Sequence, residues 1–418
     1  MHITKNSKKI MSLISQHNWM HHISDNKKTE SIILQLYKDI NNAHHFLLTL
    51  KNKKDHYYKL TTKKIISSTQ IAKPQNFNAN SFPEQVRKQI DNYAAYELNY
   101  SFSLFDRNIK IIFTLEEDNN EVQIATFNKY VDIVVMWLYI LNEYASKQCA
   151  NNLCIYFYFT SLEKSLPSSN IYVLDELHVN TAFTTTCPKE SEIVIFRKEE
   201  WFKVFIHETF HNFGLDFSDM NNTEVTDCIL NFLRVNSDVN LYESYTEIWA
   251  EIINAIFCSF LSLKDKNNVE LFLHQFDVFI NLERNYSFLQ LVKILDFMGL
   301  SYKDLYRLSH QSKILRDNLY KEKTNVLSYY VIKTILLNNY PSFLMWCQKN
   351  NTTVLQFKKT SSNQQSYCKL IERNYKTHSM LESIEDAQMF LNNLKKKKKD
   401  KHTIYMLNNL RMSICELG

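Results

Sequence analysis

The chain has 418 residues, a formal net charge of +5, 45% hydrophobic and 22% charged residues, and only three glycines and five prolines. That length supports a large core and two or three domains, or one enzyme with two lobes. So few glycines exclude a glycine-rich phosphate loop or a Gly/Ser linker, and so mild a charge does not by itself imply a nucleic-acid partner.

Taken in chain order, residues 1–100 read as a basic, mostly helical region, with helical stretches such as SIILQLYKDINNAHHFLLTL. The pairs His21-His22 and His44-His45 lack partners at ligand spacing and read as ordinary surface or core histidines. Pro74, Asn76, Asn78, Asn80 and Pro83 mark a boundary near 73–83. Residues 101–218 then alternate between element types. NIKIIFTLEE (108–117) alternates as a strand, and VDIVVMWLYILNEYA (131–145) has the length of a buried helix. LCIYFYFT (153–160) and EIVIFR (192–197) are rich in β-branched and aromatic residues and read as strands, with an extended edge segment at 177–185 between them. An amphipathic helix follows over 199–213. Residues 219–418 read as a helical lobe, with helices at 241–263, 269–283, 288–299 and 325–339 and a basic C-terminal segment. The lysine run Lys395–Lys399 reads as a solvated loop, with polyanion binding as the competing reading. The most apolar run, Ile133–Leu141, is too short to cross a bilayer, so no membrane partner is expected. The eight cysteines form no CxxC pair and read as reduced thiols in a chain that is not secreted.

The chemistry concentrates in FKVFIHETFHNFGLDFS (202–218). His207-Glu208-Thr209-Phe210-His211 is HExxH. On a helix, residues four apart share a face, so both imidazoles can reach one ion while Glu208 lies beside them as a base for an activated water. Phe202, Phe205, Ile206, Phe210 and Phe213 form the apolar stripe, and Gly214 stands where a helix-ending glycine belongs. A catalytic zinc needs a third protein ligand. The next long helix offers Glu243, Glu247 and Glu251 on one stripe, opposite Ile248, Ile252, Ala255, Ile256 and Phe260. The expectation is Glu247 as ligand and Glu251 as acceptor for a histidine N–H, with Glu243 the rival ligand.

These residues resemble the zincin metallopeptidases, and most nearly the gluzincins, whose HExxH is followed by a helix bearing a Glu ligand and an acidic residue four positions later. Glu247-Ile248-Trp249-Ala250-Glu251 is similar to that element. The resemblance covers about 105–263 and extends to uncharacterised zincin-like proteins of large DNA viruses. It implies an α+β fold, in which a zincin-like upper lobe (a small mixed sheet with backing and active-site helices) sits over a mainly helical lower lobe. It also implies an edge strand that grips substrate backbone, with Asn180 a candidate, and a lower-lobe His or Tyr for the oxyanion. His274, Tyr286, His310, Tyr242 and Tyr245 all remain open for that last role. The metzincin pattern fits less well, because Phe217 occupies its third-ligand position and Asp216 falls one residue early.

The expected function is a zinc metallopeptidase with one Zn²⁺ on His207, His211 and Glu247, hydrolysing a protein or peptide substrate in the cytoplasm or a virion. The alternatives are a zincin-like structural or virion-associated protein without turnover, and a nucleic-acid binder using the lysine run.

Overall fold

Among the described residues, a six-stranded mixed sheet runs in the order β1-β2-β3-β4-β6-β5. In this computed structural model, which describes residues 3–15, 23, 27–53, 57–116, 124–397 and 400–418, the strands are β1 (Lys59–Lys64), β2 (Tyr96–Leu104), β3 (Arg107–Leu115), β4 (Asn152–Phe159), β5 (Ala182–Thr184) and β6 (Glu190–Ile195). His21-His22 and Lys398-Lys399 lie outside the described residues. β1, β2 and β3 are antiparallel neighbours, whereas β3, β4 and β6 run parallel. β5 closes the edge antiparallel to β6. The first hundred residues, expected to be mostly helical, thus also supply β1 and most of β2. β1 (KLTTKK) is almost wholly exposed, so it carries no apolar alternation for sequence reading to detect.

The helices needed to place the site are α1 (Lys5–Ser15), α2 (Lys27–Lys53), α3 (Glu84–Tyr93), α4 (Ile124–Tyr144), α5 (Glu176–Val179), α6 (Trp201–Asn212), α7 (Thr223–Leu230), α8 (Leu241–Ser262) and α9 (Val269–Met298). Helices expected at 269–283 and 288–299 are one continuous α9, ended by Gly299 in the left-handed conformation. The parallel strands are apolar on both faces, as buried central strands must be. Ile111, Phe113, Ile155, Phe157, Ile193 and Ile195 face the main core, while Ile112, Tyr156, Tyr158, Val194 and Phe196 meet α3 residues Val86 and Ile90 in a second cluster. By length and composition α4 could span a membrane; here its apolar residues are core.

α6 lies between the sheet and α8. Its Phe205 ring meets Phe157 of β4, and Phe210 stacks between Trp137 of α4 and Trp249 of α8. The Trp137 indole N–H also donates to Thr209 Oγ1 at 2.7 Å. These contacts fix the roll of α6, and with it the direction in which His207 and His211 point.

The last ten residues run as a strap through the interior. Glu200 Oε1 accepts the backbone N–H groups of Met412 (2.9 Å) and Ser413 (2.6 Å). Glu283 Oε1 accepts the Ser413 hydroxyl (2.6 Å) and the Cys415 N–H (2.7 Å). Two disulfides are present, Cys149–Cys187 and Cys228–Cys368. This corrects the reading of all eight cysteines as free thiols. Their partners are 38 and 140 residues apart, a proximity that only the tertiary fold creates.

Candidate metal centre

His207 and His211 lie one turn apart on the buried face of α6. Gly214 ends the turn after them at φ +66°, a backbone conformation that favours glycine. From α8 comes Glu243. Its Oε2 stands 3.2 Å from His207 Nε2 and 3.4 Å from His211 Nε2, and the two Nε2 atoms are 3.2 Å apart. These three buried side chains form a group that could hold a metal ion.

The second carboxylate on the stripe does something else. Glu247 Oε2 accepts from His207 Nδ1 at 2.8 Å, and its Oε1 accepts from Lys203 Nζ at 2.6 Å. Glu247, expected to be the ligand, therefore faces the back of His207, and Glu243, one turn earlier, is the carboxylate in the group that could hold a metal. Glu251, expected to accept a histidine N–H, pairs instead with Lys333 at 3.1 Å. The reason is helix phase: three glutamates four apart share one face, and only the height at which α8 crosses α6 decides which meets the imidazoles. Asp216, in the turn after Gly214, accepts from His211 Nδ1. Each imidazole thus has a carboxylate behind it, leaving both Nε2 atoms toward Glu243.

Glu208 faces a cavity of about 30 Å³ walled by Asn180, Ala182, Lys203, Val204, His207, Tyr329 and Met412, among others. Among the described residues it makes no side-chain hydrogen bond. Burial pushes its carboxyl up to about 7, against the lowering pull of His207 and His211. Burial would also raise Glu243, but His211 and the hydrogen bonds from both imidazoles hold it below the ordinary carboxylate range. Glu247 is likewise held low despite its burial, chiefly by Lys203 and His207. Burial disfavours charged imidazoles, yet the surrounding carboxylates raise both His207 and His211. Glu208, Asp216, Glu243 and Glu247 are all buried, with Lys203 the cation that touches them. So much buried negative charge beside two imidazoles is an environment that a divalent cation would offset.

Tyr329 was not among the residues singled out in the sequence. It sits in a π-helical turn, Leu327–Ile332, and its hydroxyl donates to Glu243 Oε2 at 2.8 Å. Nothing local in LSYYVI marks it. Of the tyrosines and histidines considered for that side of the site, Tyr286 is buried against Asn409 and Tyr245 donates to the Leu355 carbonyl. His274 and His310 are exposed. Tyr242 places its ring 5.9 Å from that of His211. Asn180, expected to grip substrate, uses its side-chain oxygen to accept from Thr324 Oγ1 at 2.8 Å and its carbonyl to accept from Arg197 at 3.1 Å.

No protein-family description, curated protein or solved structure matches this chain. The functional argument therefore stands on the chain's own residues.

Proposed function

We propose that the protein is a zinc metallopeptidase of the gluzincin type, with His207, His211 and Glu243 as ligands and Glu208 as the general base. One observation carries the reading: the three candidate ligand atoms are separated by 3.2, 3.2 and 3.4 Å. Atoms bound about 2.0–2.1 Å from a tetrahedral zinc stand roughly 3.3–3.4 Å apart. The donor set, two imidazoles and one carboxylate, is also the one that leaves a hydrolytic zinc an open position.

A zinc ion held there would supply Lewis acidity toward a peptide carbonyl. The protein's own groups then divide the work. Glu208, which faces the cavity beside His207, would take a proton from water and return it to the leaving amine. Glu247 and Asp216 hold the imidazoles in the tautomer that presents Nε2. Tyr329 lines the same cavity, and its hydroxyl would donate to the developing oxyanion on turning away from Glu243, to which it donates in the structure. The upper lobe corresponds to the sheet with α4 and α6, the lower to α8, α9 and the helices that follow. β5 is the sheet edge beside the cavity.

The cavity of about 30 Å³ is about one water's share of the liquid. That small volume is what favours the second reading, a metal that joins α6 to α8 without turnover. Zinc-loaded protein incubated with a broad peptide library separates the two. Cleavage that Glu208→Gln abolishes while stoichiometric zinc remains supports the peptidase; bound zinc with no cleavage supports the structural role.

A further inference from the structure

Lys203 is a buried lysine on α6, one turn before His207, at 2% exposure. Burying an ammonium costs several kcal/mol unless it is closely paired. Its close partner is Glu247 Oε1 at 2.6 Å; Glu200 Oε1 and Met412 Sδ stand farther off, at 3.9 and 4.0 Å. The other Glu247 oxygen accepts from His207 Nδ1 at 2.8 Å. One carboxylate is therefore seated at two points by two residues of the same helix. A carboxylate torsion is broad and roughly two-fold, so a single hydrogen bond to His207 would leave Glu247 free to turn. The second contact removes that freedom.

We propose that Lys203 is a positioning residue of the metal centre. It fixes Glu247, which in turn fixes the ring of His207 with Nε2 directed at the ion. This inference rests on the metal-site reading above but not on peptidase activity. Its consequence is a metal affinity that depends on a side chain with no contact to the metal. Lys203 also explains why the acidic stripe of α8 begins to act one turn earlier than expected: the second glutamate is already committed to a lysine.

The test uses the full chain loaded with Co²⁺, whose visible absorption reports coordination geometry, and Zn²⁺ competition against a chelator. In wild type we expect the intense visible bands of a four- or five-coordinate ion. Lys203→Met is expected to alter those bands and weaken both metals by about 10–100-fold, the range typical of lost outer partners of ligating histidines. Adding Lys203→Met to Glu247→Gln should then give no further loss, because both act through one carboxylate. A lysine that only stabilises the fold would lower the melting temperature and leave bands and affinity unchanged, which overturns the inference while the metal site stands. Independent, additive losses would overturn it too. No visible bands in wild type would remove the metal-site reading itself. Should Lys203→Met alone fail to fold, Glu247→Gln is compared with the double variant Lys203→Met/Glu247→Gln, in which no carboxylate is left unpaired; a further change in bands or affinity in the double variant overturns the inference.

Discussion

Two concave places among the described residues differ greatly in size and in chemistry. One is an open groove of about 680 Å³ across the outer face of the sheet, lined by Ser101, Ser103, Lys110, Cys154 and Glu192 among others. Its polar groups satisfy one another: Asn108 donates to Asn152 at 2.8 Å, and Asn152 donates to Glu190 at 2.6 Å. The other is the cavity of about 30 Å³ beside His207 and Glu208. Volume would choose the first. Chemistry chooses the second, where buried carboxylates and imidazoles converge at a cost that folding alone does not require. A ladder of hydrogen-bonded amides on a solvated strand end is what an ordinary surface looks like.

The sharpest way to break this contrast is to remove ligands. His211→Ala and Glu243→Ala are each expected to abolish stoichiometric zinc, whereas Lys110→Ala and Glu192→Gln on the outer groove should leave it intact. Equal zinc in all four by elemental analysis would dissolve the distinction. Next in size, Tyr329→Phe should still bind zinc, more weakly because Glu243 loses a hydrogen bond, and at saturating zinc lower kcat by about 10²–10³-fold, the usual scale for one oxyanion donor; a change confined to KM would give Tyr329 a binding role instead. Asp216→Asn, which weakens the partner behind His211, is expected to weaken zinc by about 10–100-fold in a chelator competition.

A smaller effect reads the electrostatics directly. In metal-stripped protein Glu208 titrates near 7 rather than its ordinary 4.5. The folded state then binds a proton the unfolded state has lost between those values, so stability falls as pH rises through that window. Glu208→Gln cannot ionise. It should exceed wild type by on the order of 3 kcal/mol above pH 7 and match it below about pH 4.5, measured by urea unfolding. A constant offset at every pH would place Glu208 outside the buried cluster. Smallest of all, Thr324→Val removes the hydroxyl that donates to Asn180. A severalfold lower KM for peptide would mark that contact as the barrier to access, and an unchanged KM would move the barrier elsewhere.

Much of the site was legible because it is local. HExxH, the phenylalanine stripe and Gly214 lie within one helix and its stop, where a period of 3.6 residues fixes direction. The identity of α8 as the second element was equally plain from its apolar face. Which of its glutamates meets the imidazoles was not, because periodicity gives an angle and says nothing of height. Asp216 was visible only as a failed ligand of another pattern, and its bond to the rear of His211 depends on the turn that Gly214 begins. Tyr329 and Lys203 gain meaning only from packing: one arrives from a distant π-turn, the other is a charge whose partner lies on a different helix. The cysteine pairs were hidden for the same reason.

The Cys149–Cys187 bridge reaches the metal centre through one amide. The Cys187 N–H donates to the carbonyl of His211 at 3.3 Å, and the bridge packs against Gly214. Thiol reductants, common in protein preparation, would therefore act twice: as chelators competing for the ion, and as reagents that unfasten the loop bordering a histidine. Zinc counted in protein purified with dithiothreitol would report the buffer as much as the binding site, and the same count in a non-thiol, non-chelating medium is the one to believe.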